Sequence, residues 1–324
     1  MDSAASFEGT RSCKSHNPTI SQSHNSAIIE RVSARFGERT IVNDGIADKA
    51  VVAATGFHVR RLVAPGMSLF DFSLPVAEKA MEGVDGVKAV IAASFSSENR
   101  FPALSVRLAT ALGLASSTIA FDLQMACSAY PYAIYLASRI AADMGGRVLV
   151  VDADIQSNFV DSSDSATALV MDDAATATIV SCATEAAKSL EGSPPPFAFY
   201  SAHSNALECG AAGPIRMDGF KVFSFVARDV VKFLRPFGND FDMFVPHRAN
   251  LYMVRQLAKS LGLADKLIAP DDARFANPGS ASIPATLALA AHPGTALIAG
   301  FGAGLSASAA LVSLPDNFTA AIIP

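Results

Sequence analysis

One segment near the middle of the chain constrains the fold more than any other. Residues 118–122 predict a short apolar strand, residues 128–144 a long apolar helix, and residues 147–152 a second strand. A strand, a buried helix and another strand in this order are typical of a parallel or mixed α/β sheet. Further strands are predicted at 87–93, 169–171, 176–182, 197–201, 243–245, 295–300 and 307–314, and helices at 26–36, 68–82, 220–234, 249–261 and 282–291.

These elements fall into two α/β halves of similar order. Strands 169–171 and 176–182 would form a hairpin with its turn at Asp172 and Asp173, and the segment KSLEGSPPP at 188–196 is the best linker in the chain. We therefore predict one half over 1–187 and a second over 196–324. No sequence repeat between the halves is obvious, so a duplication is only suggested.

Composition excludes several classes of protein. Half of the 324 residues are hydrophobic, which is enough for a large core, and a net charge of −5 argues against a nucleic-acid binder. The cysteines lack disulfide-like or metal-like spacing, so we expect a reducing cytoplasm and no metal site. The polar N-terminus and the interrupted apolar runs predict neither a signal peptide nor a membrane span. The four cysteines are Cys13, Cys127, Cys182 and Cys209.

Cys127 lies where the strand at 118–122 leads into the long apolar helix. A thiol there would face the positive end of the helix dipole, so we expect a lowered pKa and a nucleophilic thiolate. Its small neighbours in QMACSAY would let a substrate approach closely. A small buried hydrophobe is the alternative interpretation of a cysteine in an apolar segment. Placement alone leaves both interpretations open.

Three further segments carry residues that suit catalysis. His247 follows a buried strand in FVPHRAN, where α/β proteins place working residues. Asn277 stands in the turn-forming sequence ANPGSASIP, and ordinary turn chemistry explains an Asn there equally well. The strand–glycine turn–strand sequence IAGFGAGLSASAALV could present backbone N–H groups to an oxyanion, although a plain hairpin explains it too.

Taken together and in order, these segments resemble the β-ketoacyl-acyl-carrier-protein synthase III family, whose members are condensing enzymes of the thiolase superfamily. The motifs are D-x-Q-x-A-C-S-A, V-P-H-x-A-N, N-P-G-S-A-S-I-P and G-F-G-A-G, and upstream TGFHVRR, ENRFPAL and GLASSTIAFDL match as well. The resemblance covers nearly the whole chain. It implies a thiolase-like fold of two similar α/β halves in five αβαβα layers.

The resemblance also implies a reaction. Cys127 would take an acyl group from a coenzyme A thioester, and His247 and Asn277 would hold a malonyl thioester on acyl carrier protein while it loses carbon dioxide. The carbanion would attack acyl-Cys127 to give a 3-oxoacyl product. Backbone N–H groups of Cys127 and Ala303 would form the oxyanion hole. No cofactor is implied beyond coenzyme A and carrier-bound phosphopantetheine as substrates.

Other family roles carry over to single positions. Asn250 matches the asparagine that contacts pantetheine, and Phe101 matches the residue that enters the partner's acyl pocket, which implies a homodimer. Lys259 and Lys221 would form a small basic patch for the carrier protein. Two departures concern donor recognition: the family's adenine-clamping Trp is missing and Ala54 replaces the accompanying Arg, while Tyr252 replaces a basic docking residue.

Arg100 and Arg274 are unusual neighbours of the implied site. Either guanidinium could pair with a carboxylate on the acyl chain, as in biotin-pathway synthases that extend glutaryl-CoA to a 3-oxopimeloyl chain. A surface or interface ion pair is the competing interpretation. Acyl transfer to an oxygen or nitrogen nucleophile and a silent partner subunit also stay open, whereas a papain-like hydrolase lacks the C-G-S-C-W context.

Overall fold

A computed structural model describes residues 27–43, 49–183, 196–211, 213–270 and 274–324. Cys13, the predicted cap Ser26 and all of the predicted linker except Pro196 lie outside the described residues. The division into halves at 1–187 and 196–324 therefore stays a prediction, because its boundary lies in the undescribed stretch.

The described strands are numbered in chain order. They are β1 (Ala27–Phe36), β2 (Arg39–Val42), β3 (Val59–Leu62), β4 (Val87–Ala93), β5 (Ile119–Leu123), β6 (Arg147–Ile155), β7 (Asp173–Cys182), β8 (Phe197–Ser201), β9 (Leu207–Cys209), β10 (Ile215–Met217), β11 (Met243–Pro246), β12 (Gly294–Gly302), β13 (Ser306–Leu314) and β14 (Thr319–Ile323).

Helices separate the strands from β2 to β7, whereas β7 to β10 and β12 to β14 follow one another without a described helix between them. The helices are α1 (Lys49–Thr55), α2 (Leu69–Met81), α3 (Leu104–Ala111), α4 (Ala129–Met144), α5 (Ser165–Ala168), α6 (Gly219–Phe225), α7 (Val231–Leu234), α8 (Leu251–Leu261) and α9 (Ser282–Ala290). A π-helical turn, Val226–Val230, joins α6 to α7, so the helix predicted at 220–234 is continuous but irregular.

The strands form two mixed sheets that meet edge to edge. Hydrogen bonding joins ten strands in the order β11-β12-β13-β1-β7-β6-β4-β5, with β14 paired to β1 and β8 paired to β13. Because β1 and β13 pair at only two positions, we describe β5-β4-β6-β7-β1-β14 as the first sheet and β11-β12-β13-β8 as the second. Apolar faces of α4 and α9 pack between the sheets. Helices α2 and α3 cover the outer face of the first sheet, and α6, α7 and α8 cover that of the second. The predicted αβαβα layering is confirmed.

The prediction of a helix at 26–36 is wrong, because these residues form strand β1. The buried apolar side chains are Ala27, Ile29, Val32, Ala34 and Phe36. Their spacing is that of a strand, except that the register shifts between residues 29 and 31 opposite β7. This bulge adds one residue to the alternation, so part of the pattern imitates helical spacing.

The predicted hairpin at 169–182 is also wrong. Strand β7 begins at Asp173, and Met171 instead forms an isolated bridge with Asn277. Asp172 and Asp173 are fully buried rather than exposed in a turn. Backbone N–H groups from other segments donate hydrogen bonds to their carboxyl oxygens, so the two acids tie separate loops together.

Among the described residues, no helix has both the length and the apolar character needed to cross a membrane.

Candidate active site

Cys127 stands in a short 3-10 turn, Ala126–Ser128, between β5 and α4. Ala126 has a φ of 43°, which makes it the one non-glycine residue in the described part of the chain with a positive φ. Such a strained conformation is commonly found next to reactive side chains. The turn places the thiol at the sheet edge instead of inside the apolar helix α4.

Two glycines of β12 let this turn pack directly against the second sheet. A Cβ added at Gly302 would stand 2.8 Å from the Cβ and 3.1 Å from the Sγ of Cys127. A Cβ added at Gly300 would stand 2.8 Å from the carbonyl oxygen of Cys127 and 2.9 Å from the Cα of Ser128. Any larger residue at either position would push the cysteine turn away from β12.

The predicted oxyanion-hole donors converge on the sulfur. Backbone N–H groups of Cys127 and Ala303 both face Sγ and act to lower the pKa of the thiol. Ala303 has no positive φ, so alanine fits where the family resemblance expects glycine. Ser306 Oγ donates to the Ala303 carbonyl at 2.6 Å and contacts Ser128 Oγ at 2.7 Å, which joins the two turns.

The expectation of a lowered Cys127 pKa is wrong for the resting protein. Burial, together with the negative charge of nearby Asp154, raises the pKa of Cys127 to about 12. These effects outweigh the two N–H donors and the start of a helix. Cys127 is therefore a protonated thiol at rest, and its proton must leave as it attacks.

His247 follows β11 and is almost fully buried. Its Nδ1 lies 2.7 Å from Ser282 Oγ, and its ring meets Phe301 edge to face. Burial lowers the pKa of His247 to about 4, and a hydrogen bond with the Gly279 backbone offsets only part of this effect. The imidazole is therefore neutral at physiological pH, with one N–H to donate.

Asn277 is held by its backbone and oriented by its side chain. Its N–H donates to Val170, and its carbonyl accepts from Asp172 N–H and from Gln156 Nε2 at 2.7 Å. Its side-chain Oδ1 accepts from Gly279 N–H at 3.1 Å. Because Oδ1 is engaged in this way, the amide nitrogen is the atom left to donate to a substrate.

The structure thus brings two pairs of predicted residues together. The backbone N–H groups of Cys127 and Ala303 both face Cys127 Sγ, and His247 and Asn277 both contact Gly279. The 3-10 turn that carries Cys127 packs against the Gly279–Ala281 turn, so the two pairs adjoin. A cavity of about 910 Å³ opens in front of Cys127 and is lined by Phe95, Phe159, Met171, Leu207 and Ile215 among others.

The remaining predicted positions lie further out. Arg100 lines the cavity, and its neighbour Phe101 is 86% exposed. Arg274 is exposed and is not among the residues that line this cavity. Asn250 caps α8, since its side chain accepts a hydrogen bond from Met253 N–H at 2.7 Å.

The predicted basic patch is sparse. Lys259 is exposed in the last turn of α8, while Lys221 pairs with Asp218 at 3.1 Å. Ala54, which stands where the family carries Arg, is exposed on α1. Tyr252 is half exposed and stacks on Phe223 of α6. In the described part of the chain, no three His, Cys, Asp or Glu side chains cluster as metal ligands do.

Several supporting residues have no signal in a single sequence. Ser282, Gln156 and Asp154 reach the site only through the fold, because their partners lie far away in the chain. The SASIP sequence after Asn277 places a serine five residues on, but nothing in it points to His247. Gly300 and Gly302 stand in a glycine-rich turn whose close approach to Cys127 only the structure reveals.

Comparison with known proteins places this arrangement among condensing enzymes. Residues 121–193 match the family model of 3-oxoacyl-acyl-carrier-protein (ACP) synthase III, and residues 238–314 match its C-terminal model. A β-ketoacyl-acyl-carrier-protein synthase III of Streptomyces coelicolor is 29% identical over 316 residues, which cover 88% of this chain and 93% of the relative.

Solved structures give the same result. A 3-oxoacyl-(acyl-carrier protein) synthase from Burkholderia xenovorans superposes with a TM-score of 0.80 at 26% identity, covering 92% of this chain and 97% of that one. A 3-oxoacyl-(acyl carrier protein) synthase III from Pseudomonas aeruginosa gives a TM-score of 0.78 at 26% identity, with coverage of 90% and 98%.

Proposed function

Because this chain belongs to the 3-oxoacyl-acyl-carrier-protein synthase III family of acyltransferase-type condensing enzymes, we propose that it joins an acyl thioester to malonyl-acyl carrier protein with loss of carbon dioxide. One observation carries the proposal. The two backbone N–H donors on Cys127 Sγ adjoin a neutral His247 and an oriented Asn277 amide. The first pair suits acyl transfer and the second suits stabilisation of an enolate.

In the first half-reaction, Cys127 Sγ attacks the carbonyl carbon of the acyl-CoA. The carbon–sulfur bond to coenzyme A breaks, and the departing thiol takes up the proton that Cys127 loses. N–H groups of Cys127 and Ala303 stabilise the oxyanion of the tetrahedral intermediate. The raised pKa of Cys127 means that the thiolate is generated at the moment of attack rather than stored.

In the second half-reaction, His247 and Asn277 act on the malonyl thioester. Ser282 Oγ accepts from Arg248 N–H, so its own proton is available to His247 Nδ1, and we assign the imidazole proton to Nε2. Nε2–H and the Asn277 amide would donate to the thioester oxygen while the carboxylate leaves as carbon dioxide. The carbanion then attacks the carbonyl carbon of acyl-Cys127, and the bond from that carbon to Sγ breaks. The 3-oxoacyl product is released, and the Cys127 thiolate takes up a proton from solvent to regenerate the thiol.

A homodimer and a carrier protein belong to this proposal. Among the described strands, β5 ends the first sheet, and Ile119 on it is 40% exposed, so this edge is available to a second copy. The exposed Phe101 ring near this edge suits a role in the partner subunit's acyl pocket. Lys259 and Lys221 would face the acidic carrier, and the reducing cytoplasm suits a free nucleophilic thiol.

The position of Arg100 favours a second candidate function, the condensation of a dicarboxylic primer. It lines the cavity in front of Cys127, so a dicarboxylic primer such as glutaryl-CoA, as in biotin synthesis, has a cation within the same cavity. The cavity is otherwise lined by several apolar side chains, which suit a plain acyl chain. A panel of primers that includes both classes separates the two candidates.

The test measures the two half-reactions separately. Wild type and Cys127→Ser are incubated with a panel of acyl-CoA thioesters, and intact mass reports an adduct, which peptide mapping places on residue 127. Carbon dioxide release from malonyl-acyl carrier protein then distinguishes condensation from acyl transfer to an oxygen or nitrogen nucleophile. The proposal fails if no thioester acylates Cys127, or if acyl-Cys127 forms and no carbon dioxide is released.

A further inference from the structure

Two carboxyl groups lie in the central layer behind the candidate active site. Asp152 and Asp154 follow Val148 and Val150 along one face of β6, and this face looks onto α4 and the Gly279–Ala281 turn. Both aspartates are at most 1% exposed. Neither makes a salt bridge with any described residue. Two acids side by side at this depth need a physical explanation.

The hydrogen bonds of the pair are strongly uneven. Asp154 Oδ1 accepts from the hydroxyls of Ser94 and Ser96 and from the N–H groups of Phe95 and Ser96. Asp154 Oδ2 and both oxygens of Asp152 have no hydrogen-bond partner among the described residues. The Ser280 hydroxyl faces Asp152 but makes no hydrogen bond of regular geometry.

The open oxygen of Asp154 points towards the catalytic turns. A Cβ added at Gly279 would stand 3.4 Å from Asp154 Oδ2, and Gly279 itself contacts both His247 and Asn277. On the other side, the charge of Asp154 acts on Cys127. A change in the charge of this one carboxyl is therefore felt by the nucleophile.

We propose that Asp152 and Asp154 hold one proton between them, and that this buried acid pair is a positioning element that sets the reactivity of Cys127. The proposal rests on the proposed function only in taking Cys127 as the nucleophile. Two neighbouring carboxylates cannot both ionise in a dry interior, so one stays protonated. The partnerless Asp152 keeps its proton, while Asp154, with four donors on Oδ1, is the member that ionises.

The direction of the effect follows from the surroundings. Burial raises the pKa of Asp154 to about 6 and that of Asp152 well above its usual range. Above pH 6 the negative Asp154 opposes thiolate formation at Cys127, and below pH 6 the pair is neutral. Titratable groups facing the pair are Cys127 and Tyr130 from the α4 side and His247 across Gly279, and Asp172 and Asp173 stand at the start of the neighbouring strand β7.

Alkylation of Cys127 by iodoacetamide tests this without any acyl donor. The rate is measured from pH 5 to 10 by intact mass, with the modified residue mapped, for wild type, Asp154→Asn, Asp152→Asn and Asp173→Asn. Asn at 154 keeps an oxygen for the four donors of the 94–96 loop but carries no charge. Asp173→Asn is the matched control, because Asp173 is a buried acid that does not act on Cys127.

We expect Cys127 of Asp154→Asn to be alkylated roughly tenfold faster than that of wild type at pH 8. A thiol whose pKa is lower by one has about ten times as much thiolate at this pH. The profile of Asp154→Asn should also lose the inflection near pH 6. Asp152→Asn should keep that inflection near pH 6, because Asp152 is already neutral when Asp154 ionises, and Asp173→Asn should follow wild type. Thermal melts establish that each variant is folded.

Two results would overturn the proposal. One is an Asp154→Asn profile that superimposes on wild type, and the other is an Asp173→Asn change of the same size. If Asp154→Asn does not fold, a wild-type profile without an inflection near pH 6, or an inflection that moves in Asp152→Asn, overturns it instead. Alkylation of Cys127 can be measured even if the protein does not catalyse condensation. A failure of the proposed function can therefore be distinguished from a failure of the acid-pair proposal.

Discussion

Replacing Gly302 by alanine is the sharpest test of how β12 positions the nucleophile. The new Cβ would stand 2.8 Å from Cys127 Cβ and 3.1 Å from Sγ. Carbon atoms pack best at about 3.5–4.0 Å, so the cysteine must retreat by roughly 1 Å. A displacement of that size costs about 100-fold in rate, or about 2.7 kcal/mol in the barrier. We expect Gly302→Ala to lose that much in acylation of Cys127.

The assay is a single-turnover acylation followed by rapid quenching and intact mass. Gly219→Ala is the matched control, because an added Cβ there meets nothing within 4 Å and its φ is not positive. Gly300→Ala should differ from both, since its Cβ strikes the backbone of the cysteine turn and should lower the melting temperature. The reasoning is refuted if folded Gly302→Ala acylates within about threefold of wild type.

Two further predictions concern the neighbours of His247 and Asn277. Ser282→Ala removes the 2.7 Å contact to His247 Nδ1 and should slow carbon dioxide release about tenfold with Cys127 acylation unchanged; an equal fall in both rates would contradict this. Burial raises the pKa of Asp172 to about 8, so the folded chain keeps a proton that the unfolded chain loses near pH 4. The free energy of unfolding should therefore fall by at most about 4 kcal/mol as the pH rises from 5 to 8. Urea unfolding of Asp172→Asn should show a weaker dependence on pH, and an unchanged dependence would exclude Asp172 as its source.

The sequence predicts most of the architecture because its strands and helices are strongly apolar and regularly spaced. Strand β4, helix α4 and the β12–β13 hairpin lie close to their predicted positions. Prediction from the sequence fails where the local pattern of residues conflicts with a tertiary contact. The bulge in β1 disguises a strand as a helix, and the Asp172–Asp173 pair resembles an exposed turn until the fold surrounds it with backbone donors.

The candidate residues were predictable for a different reason. Cys127, His247 and Asn277 stand in motifs whose order and spacing resemble one family. The combination of the motifs identified these residues, because each motif alone also has an ordinary structural explanation. Their electrostatics were not predictable. Whether a cysteine at the start of a helix becomes a thiolate depends on how deeply it is buried and on Asp154, and neither can be read from the residues around position 127.

One physical cause gives the candidate site its two different chemistries. Burial raises the pKa of Cys127 and lowers the pKa of His247, because it disfavours the charged form of each. For the imidazole this is an advantage, since a neutral ring donates a hydrogen bond to an enolate but is too weak an acid to protonate it. For the thiol it is a cost, which the N–H groups of Cys127 and Ala303 offset by stabilising negative charge as it forms.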